Sequence, residues 1–99
     1  MQYNKAIQLN PNYSLAYSLL GNALKASNRI EEAMECYRTA IQKDPKDYYP
    51  YNSLGNTYKN KGQFDDAIKH YLKALAINPN FTSCHFNLGL TYKSTNRRG

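Results

Sequence analysis

The sequence predicts an all-α chain built as an array of antiparallel helix pairs. Three observations predict it. Prolines recur at Pro11, Pro45 and Pro79, a spacing of 34 residues. A Leu-Gly dipeptide recurs at the same interval, as Leu20-Gly21, Leu54-Gly55 and Leu88-Gly89. The series Tyr3, Tyr37, Tyr71 and Ala6, Ala40, Ala74 keep the interval too, with Ala33 and Ala67, and Tyr17, Tyr51 and His85. Coincident series at one period mark an internal repeat, in which one structural unit is stacked on the next.

The elements follow in order along this frame. Residues 1–13 read as the tail helix of a preceding repeat, 14–47 and 48–81 as two repeats, and 82–99 as the first helix of a further one. Each first helix carries its apolar groups around the Leu-Gly pair: Tyr17, Leu20 and Leu24, then Tyr51, Leu54 and Tyr58. Each second helix is clearer. Ile30, Ala33, Met34, Tyr37, Ala40 and Ile41 form one apolar face at i, i+3, i+4, i+7 spacing, and Phe64, Ala67, Ile68, Tyr71, Ala74 and Leu75 repeat it. Between the helices of a pair stand Asn28, Gly62 and Asn96, residue types that accept a left-handed backbone after a helix end. Glu31-Glu32 and Asp65-Asp66 open the second helices, where negative charge suits the helix dipole. Pro50 falls in a first turn, where a missing N–H is tolerated. A glycine inside a helix costs about 1 kcal/mol relative to alanine, so the repeated Gly21, Gly55 and Gly89 imply close approach of a neighbouring helix.

With Tyr in place of Trp, the runs Tyr17-x2-Leu20-Gly21-x2-Leu24, Ala33-x3-Tyr37, Ala40, Pro45 and Tyr51-x2-Leu54-Gly55-x2-Tyr58, Ala67-x3-Tyr71, Ala74, Pro79 resemble the tetratricopeptide repeat signature. The resemblance implies a right-handed superhelical solenoid whose first helices line an inner groove, and a role as a protein-binding scaffold. The groove would then present Ser18, Asn22, Lys25, Tyr49, Asn52, Asn56, Lys59, Phe86, Leu90 and Lys93. Asn22 and Asn56 match asparagines of the family's clamps for chaperone carboxyl termini. Ser18, Phe86 and Leu90 depart from the basic residues those clamps use.

Charge supports an acidic partner. The net charge is +6, and all seven acids (Glu31, Glu32, Glu35, Asp44, Asp47, Asp65 and Asp66) fall in second helices or turns, while the first helices hold none. A groove of one sign attracts and orients a partner of the other. The expected ligand is an extended acidic peptide or a free carboxyl terminus; the same pattern also fits a solvated lysine stripe. A second expectation is a structural segment that self-associates end to end through Tyr3, Ala6, Ile7, Leu88 and Tyr92. Nucleic-acid binding is a weaker third: most tyrosines occupy core phases, leaving Tyr48 and Tyr49 for bases.

Catalysis, metal and cofactor are not expected. The sequence has no phosphate-cradling glycine loop, no Gly-x-Ser-x-Gly and no His-Glu-x-x-His. Its histidines are His70 and His85; Cys84 and His85 are neighbours that point about 100° apart on a helix and cannot share an ion. His85 is expected to pack where Tyr17 and Tyr51 do. Cys36 and Cys84 read as buried thiols of a reducing, cytoplasmic setting. No apolar run approaches the roughly 20 residues that span a bilayer, and with Gln2, Tyr3, Asn4 and Lys5 after Met1 no leader is expected.

Overall fold

A computed structural model describes residues 14–96. The expected tail helix, with Tyr3, Ala6 and Ile7, lies outside the described residues. Five helices follow in order: α1 Ser14–Ala26, α2 Ile30–Lys43, α3 Tyr49–Asn60, α4 Phe64–Ile77 and α5 Thr82–Asn96. No strand occurs among the described residues. The tightest packing joins α1 to α2 and α3 to α4, with α5 laid on α4; α2 links the pairs by packing on α3. The first helices α1, α3 and α5 also touch along one side.

The turns inside the pairs close as the residue types require. Asn28 and Gly62 adopt positive φ, 64° and 79°. This lets Arg29 N–H reach back to the Leu24 carbonyl at 2.8 Å and Gln63 N–H to that of Tyr58 at 2.9 Å, satisfying carbonyls that the helix ends leave open. Asn96 stands in a different state, as the last residue of α5. Between pairs, Asp47 accepts from the Tyr49 N–H at 3.0 Å just before α3, and Pro50 sits in that helix's first turn. Ser14 ties the start of α1 to the same region, its hydroxyl 3.0 Å from the Ala40 carbonyl and 2.8 Å from the Asp47 carboxylate.

Two core clusters fill the seams. Ala33, Met34, Tyr37 and Leu54 form one, flanked by Leu24, Ile30, Ile41 and Tyr58. Ala67, Tyr71, Ala74, Cys84 and Leu88 form the other, flanked by Tyr48, Tyr51, Tyr58, Ile68, Leu75 and Phe81. Tyr58 belongs to both margins and so joins one repeat to the next.

The glycines do make room, but for a side chain rather than for a helix backbone. A Cβ on Gly21 would lie 2.7 Å from the Tyr37 ring, and one on Gly55 would lie 2.6 Å from the Tyr71 ring. Both rings are almost wholly buried, at 1% and 0% exposure. Gly89 meets nothing within 4 Å.

Three expectations need correction here. Leu88 was expected to lie uncovered at an open end, yet it is buried against the α4 core, so it cannot serve as an association surface. His85 does not pack as Tyr17 and Tyr51 do: it is exposed, with Nε2 2.7 Å from the Pro79 carbonyl. Cys84 is buried, with its thiol 3.4 Å from the Tyr71 carbonyl, whereas Cys36 is only partly covered.

Candidate peptide groove

The candidate groove is the side on which α1, α3 and α5 meet. Periodicity puts Asn22 and Asn56 one turn before Lys25 and Lys59, so each pair shares a helix face. All four are half-buried. Tyr49, Leu90 and Lys93 are exposed beside them, and Phe86 is the most open large apolar residue among the described residues, at 66%. Lys59, Leu90 and Lys93 come together with Asn60 and Ser94 around a cleft of about 460 Å³ between α3 and α5. Asn60 and Ser94 were missed by the sequence argument. Their signal was present, since they follow Lys59 and Lys93 at the 34-residue interval.

Ser18 and Asn52 do not belong on the ligand face. Ser18 has no exposure and Asn52 only 9%. Ser14, Ser18 and Gly21 fall at i, i+4 and i+7 and form the buried seam of α1, and Asn52 holds the same place relative to Gly55. Short side chains on that seam do not reach the groove. Ser18 Oγ and Asn52 Oδ1 have no hydrogen-bond partner among the described residues. On α5 no second helix lies against the corresponding seam among the described residues, which leaves Phe86 open.

Each groove asparagine is held from beneath by a core tyrosine. The Tyr37 hydroxyl donates to Asn22 Oδ1 at 2.6 Å, and the Tyr71 hydroxyl donates to Asn56 Oδ1 at 2.5 Å. These contacts cross 15 residues of sequence and join the two helices of each pair. Asn22 makes a further bond, from Nδ2 to the Tyr49 hydroxyl at 3.2 Å. Burial pushes both core phenols up, to about 12.

The electrostatics are one-sided. Burial, reinforced by the like charge of Lys59, lowers the Lys25 ammonium from its ordinary value. Among the described residues the ion pairs are Arg29–Glu32, Arg38–Glu35 and Lys61–Glu31, and none involves Lys25, Lys59 or Lys93. All seven acids stand on α2, α4 or the turn before α3. Of the two tyrosines expected to meet bases, Tyr49 is exposed, but Tyr48 is half-buried with its ring edge-on to Phe81 at 4.9 Å. Among the described residues no group of three or more His, Cys, Asp or Glu side chains is placed to hold a metal ion. No helix there is long and apolar enough to cross a membrane.

Stacked antiparallel pairs at a fixed period, with one helix of each pair on a common face, define a helical-repeat solenoid of the all-α class. The family model for the TPR repeat matches residues 21–62 and again 55–96, and that for the tetratricopeptide repeat matches residues 2–35. The chain belongs to the tetratricopeptide repeat family. Among solved structures it is similar to YrrB, reported as a TPR protein with an unusual peptide-binding site: TM-score 0.91, 25% identity, over 97% of this chain and 50% of that one. Two crystal structures of MamA give TM-scores of 0.84 and 0.83 at 28% identity, over 95% of this chain and 55% and 51% of theirs. The chain thus spans about half the length of the solved structures it matches. Nothing matches it among curated proteins.

Proposed function

We propose that the chain is a protein-interaction scaffold that holds an extended peptide, acidic or ending in a free carboxylate, along α1, α3 and α5. One observation carries this reading: Lys25, Lys59 and Lys93 recur on the groove side with no ion-pair partner among the described residues, while every acid stands elsewhere. An anionic chain laid there would pair with Lys59 and Lys93 in the cleft and relieve the repulsion between Lys25 and Lys59. Leu90 and Phe86 would give it apolar contact, and Asn22 and Asn56 would donate to its backbone from their amide nitrogens, the oxygens being held by Tyr37 and Tyr71. The reported peptide-binding site of YrrB supports a peptide as the ligand class. The proposal assigns no catalytic step and places the chain inside the cell, in keeping with its two free cysteines.

A peptide-array screen tests it. Acidic and free-carboxylate sequences should be selected, binding should weaken with salt because exposed attraction is screened over about 8 Å at physiological ionic strength, and Lys59→Glu should lose affinity without losing the fold. Equal affinity of Lys59→Glu and parent ends the proposal.

Self-association is the second reading. Leu88 is withdrawn from it, but Phe86, Leu90 and Tyr92 leave α5 with large apolar side chains at 66%, 42% and 40% exposure. Light scattering across a concentration series should then show assembly that Phe86→Ser abolishes; a monomer at every concentration removes this reading.

A further inference from the structure

The two groove asparagines are equivalent in sequence and different in structure. In each repeat the glycine of the first helix admits the tyrosine ring of the second, with no room for even a methyl group between them. The rings of Tyr37 and Tyr71 are therefore fixed by packing, and their hydroxyls emerge beneath Asn22 and Asn56 at set points. An asparagine amide turns broadly about its last torsion, so a fixed donor on Oδ1 selects one orientation. With Oδ1 engaged below, Nδ2 faces the other way.

What happens to Nδ2 then depends on the next repeat. For Asn22, Tyr49 at the start of α3 supplies a hydroxyl at 3.2 Å and takes one of the amide hydrogens. The residue 34 positions after Tyr49 is Ser83, whose short side chain cannot span that gap. Asn56 Nδ2 has no hydrogen-bond partner among the described residues, and it is not among their enclosed, unsatisfied atoms.

We propose that the groove reads a ligand carbonyl at Asn56 in preference to Asn22: Tyr71 is a positioning residue that holds the Asn56 amide with both its N–H groups open, and Tyr49 occupies one of the two N–H groups of Asn22. The inference rests on the groove reading above and adds a polarity to it. A peptide main chain carries one carbonyl per residue, so the one fully open amide sets the register of the ligand, while the lysines, as point charges, only attract it. Tyr49 thereby becomes a specificity determinant, because exchanging it changes the number of donors the groove offers.

The test uses a labelled poly(Glu-Ala) peptide with a free carboxyl terminus, followed by anisotropy and by the side-chain amide resonances of the ¹⁵N-labelled chain. On titration the Asn56 NH₂ signals should move clearly further than the Asn22 signals. Asn56→Ala and Tyr71→Phe should each weaken binding roughly fivefold, as expected for one hydrogen bond, and the double variant should be no weaker than Asn56→Ala alone. A tyrosine that merely supported the fold would instead add its own loss. In Tyr49→Phe the Asn22 NH₂ signals should move as far as those of Asn56 and affinity should rise. If the parent binds the probe but Asn22 moves as far as Asn56, or the Tyr71→Phe and Asn56→Ala losses add, the inequivalence is refuted and the groove stands. If the parent does not bind the probe at all, the acidic-peptide groove and this inference fall together.

Discussion

Placing a methyl group at Gly55 sets two effects of known size against each other. Alanine is the better helix former by about 1 kcal/mol, so substitution in an open helix should stabilise. At Gly55 the new Cβ would stand 2.6 Å from both Cδ1 and Cε1 of Tyr71, closer than packed carbons approach. The ring cannot yield easily: it has no exposure, and its hydroxyl is bonded to Asn56. Overpacking of this kind costs about 1–3 kcal/mol, so the net change should be a loss of up to about 2 kcal/mol. For a domain of this size each kcal/mol moves the midpoint by about 4–8 °C. Gly89 is the internal control, because a Cβ there meets nothing within 4 Å. Gly89→Ala should raise the midpoint by a few degrees while Gly55→Ala lowers it, in thermal unfolding followed by circular dichroism. Two sequence-equivalent glycines responding with the same sign would refute the assignment of Gly55 to the tyrosine seam.

Other expectations concern titration and reactivity. Burial holds the Tyr37 and Tyr71 phenols at about 12, above the ordinary value of 10.0, so their neutral forms stabilise the fold fully below about pH 10 and that contribution is lost as pH rises toward 12. Denaturant melts across this window should show falling stability, with late phenolate absorbance from these two residues. Burial likewise pushes the Cys84 thiol up to about 11, and it is enclosed; a maleimide should label Cys36 in the folded chain and Cys84 only on unfolding. The exposed Lys69→Ala should change stability by less than about 0.5 kcal/mol, whereas Tyr71→Ala should cost about 3–5 kcal/mol.

Most of the fold was legible because the repeat states each requirement more than once. Asn28 and Gly62 mark the same left-handed turn with the two residue types that tolerate it, and both adopt it. The second helices show their apolar face at every expected position, with Ala33, Tyr37 and Ala40 matched by Ala67, Tyr71 and Ala74 in the core. The groove was less legible, because helical phase gives direction but not depth. Ser18 shares a phase with Phe86, yet one is fully buried and the other 66% exposed, since a packed neighbour and side-chain length decide the outcome. Nor does sequence spacing announce the Tyr37–Asn22 and Tyr71–Asn56 bonds, which depend on how deeply each ring sinks against its glycine. The difference between Asn22 and Asn56 turns on Tyr49 against Ser83, residues at a helix start and outside the repeat signature.

The central claim is that ligand binds on the side formed by the first helices. Backbone amide shifts of the ¹⁵N-labelled chain, followed while an acidic free-carboxylate peptide is added, test it most directly. The shifted residues should trace Asn22, Lys25, Asn56, Lys59, Leu90 and Lys93 and spare the exposed outer positions of α2 and α4. The opposite side offers a real alternative, a shallow apolar notch lined by Pro45, Tyr51, Leu72 and Ile77. Shifts gathered around Leu72 and Ile77, with α1 and α3 unmoved, would show that the ligand docks on α4 instead.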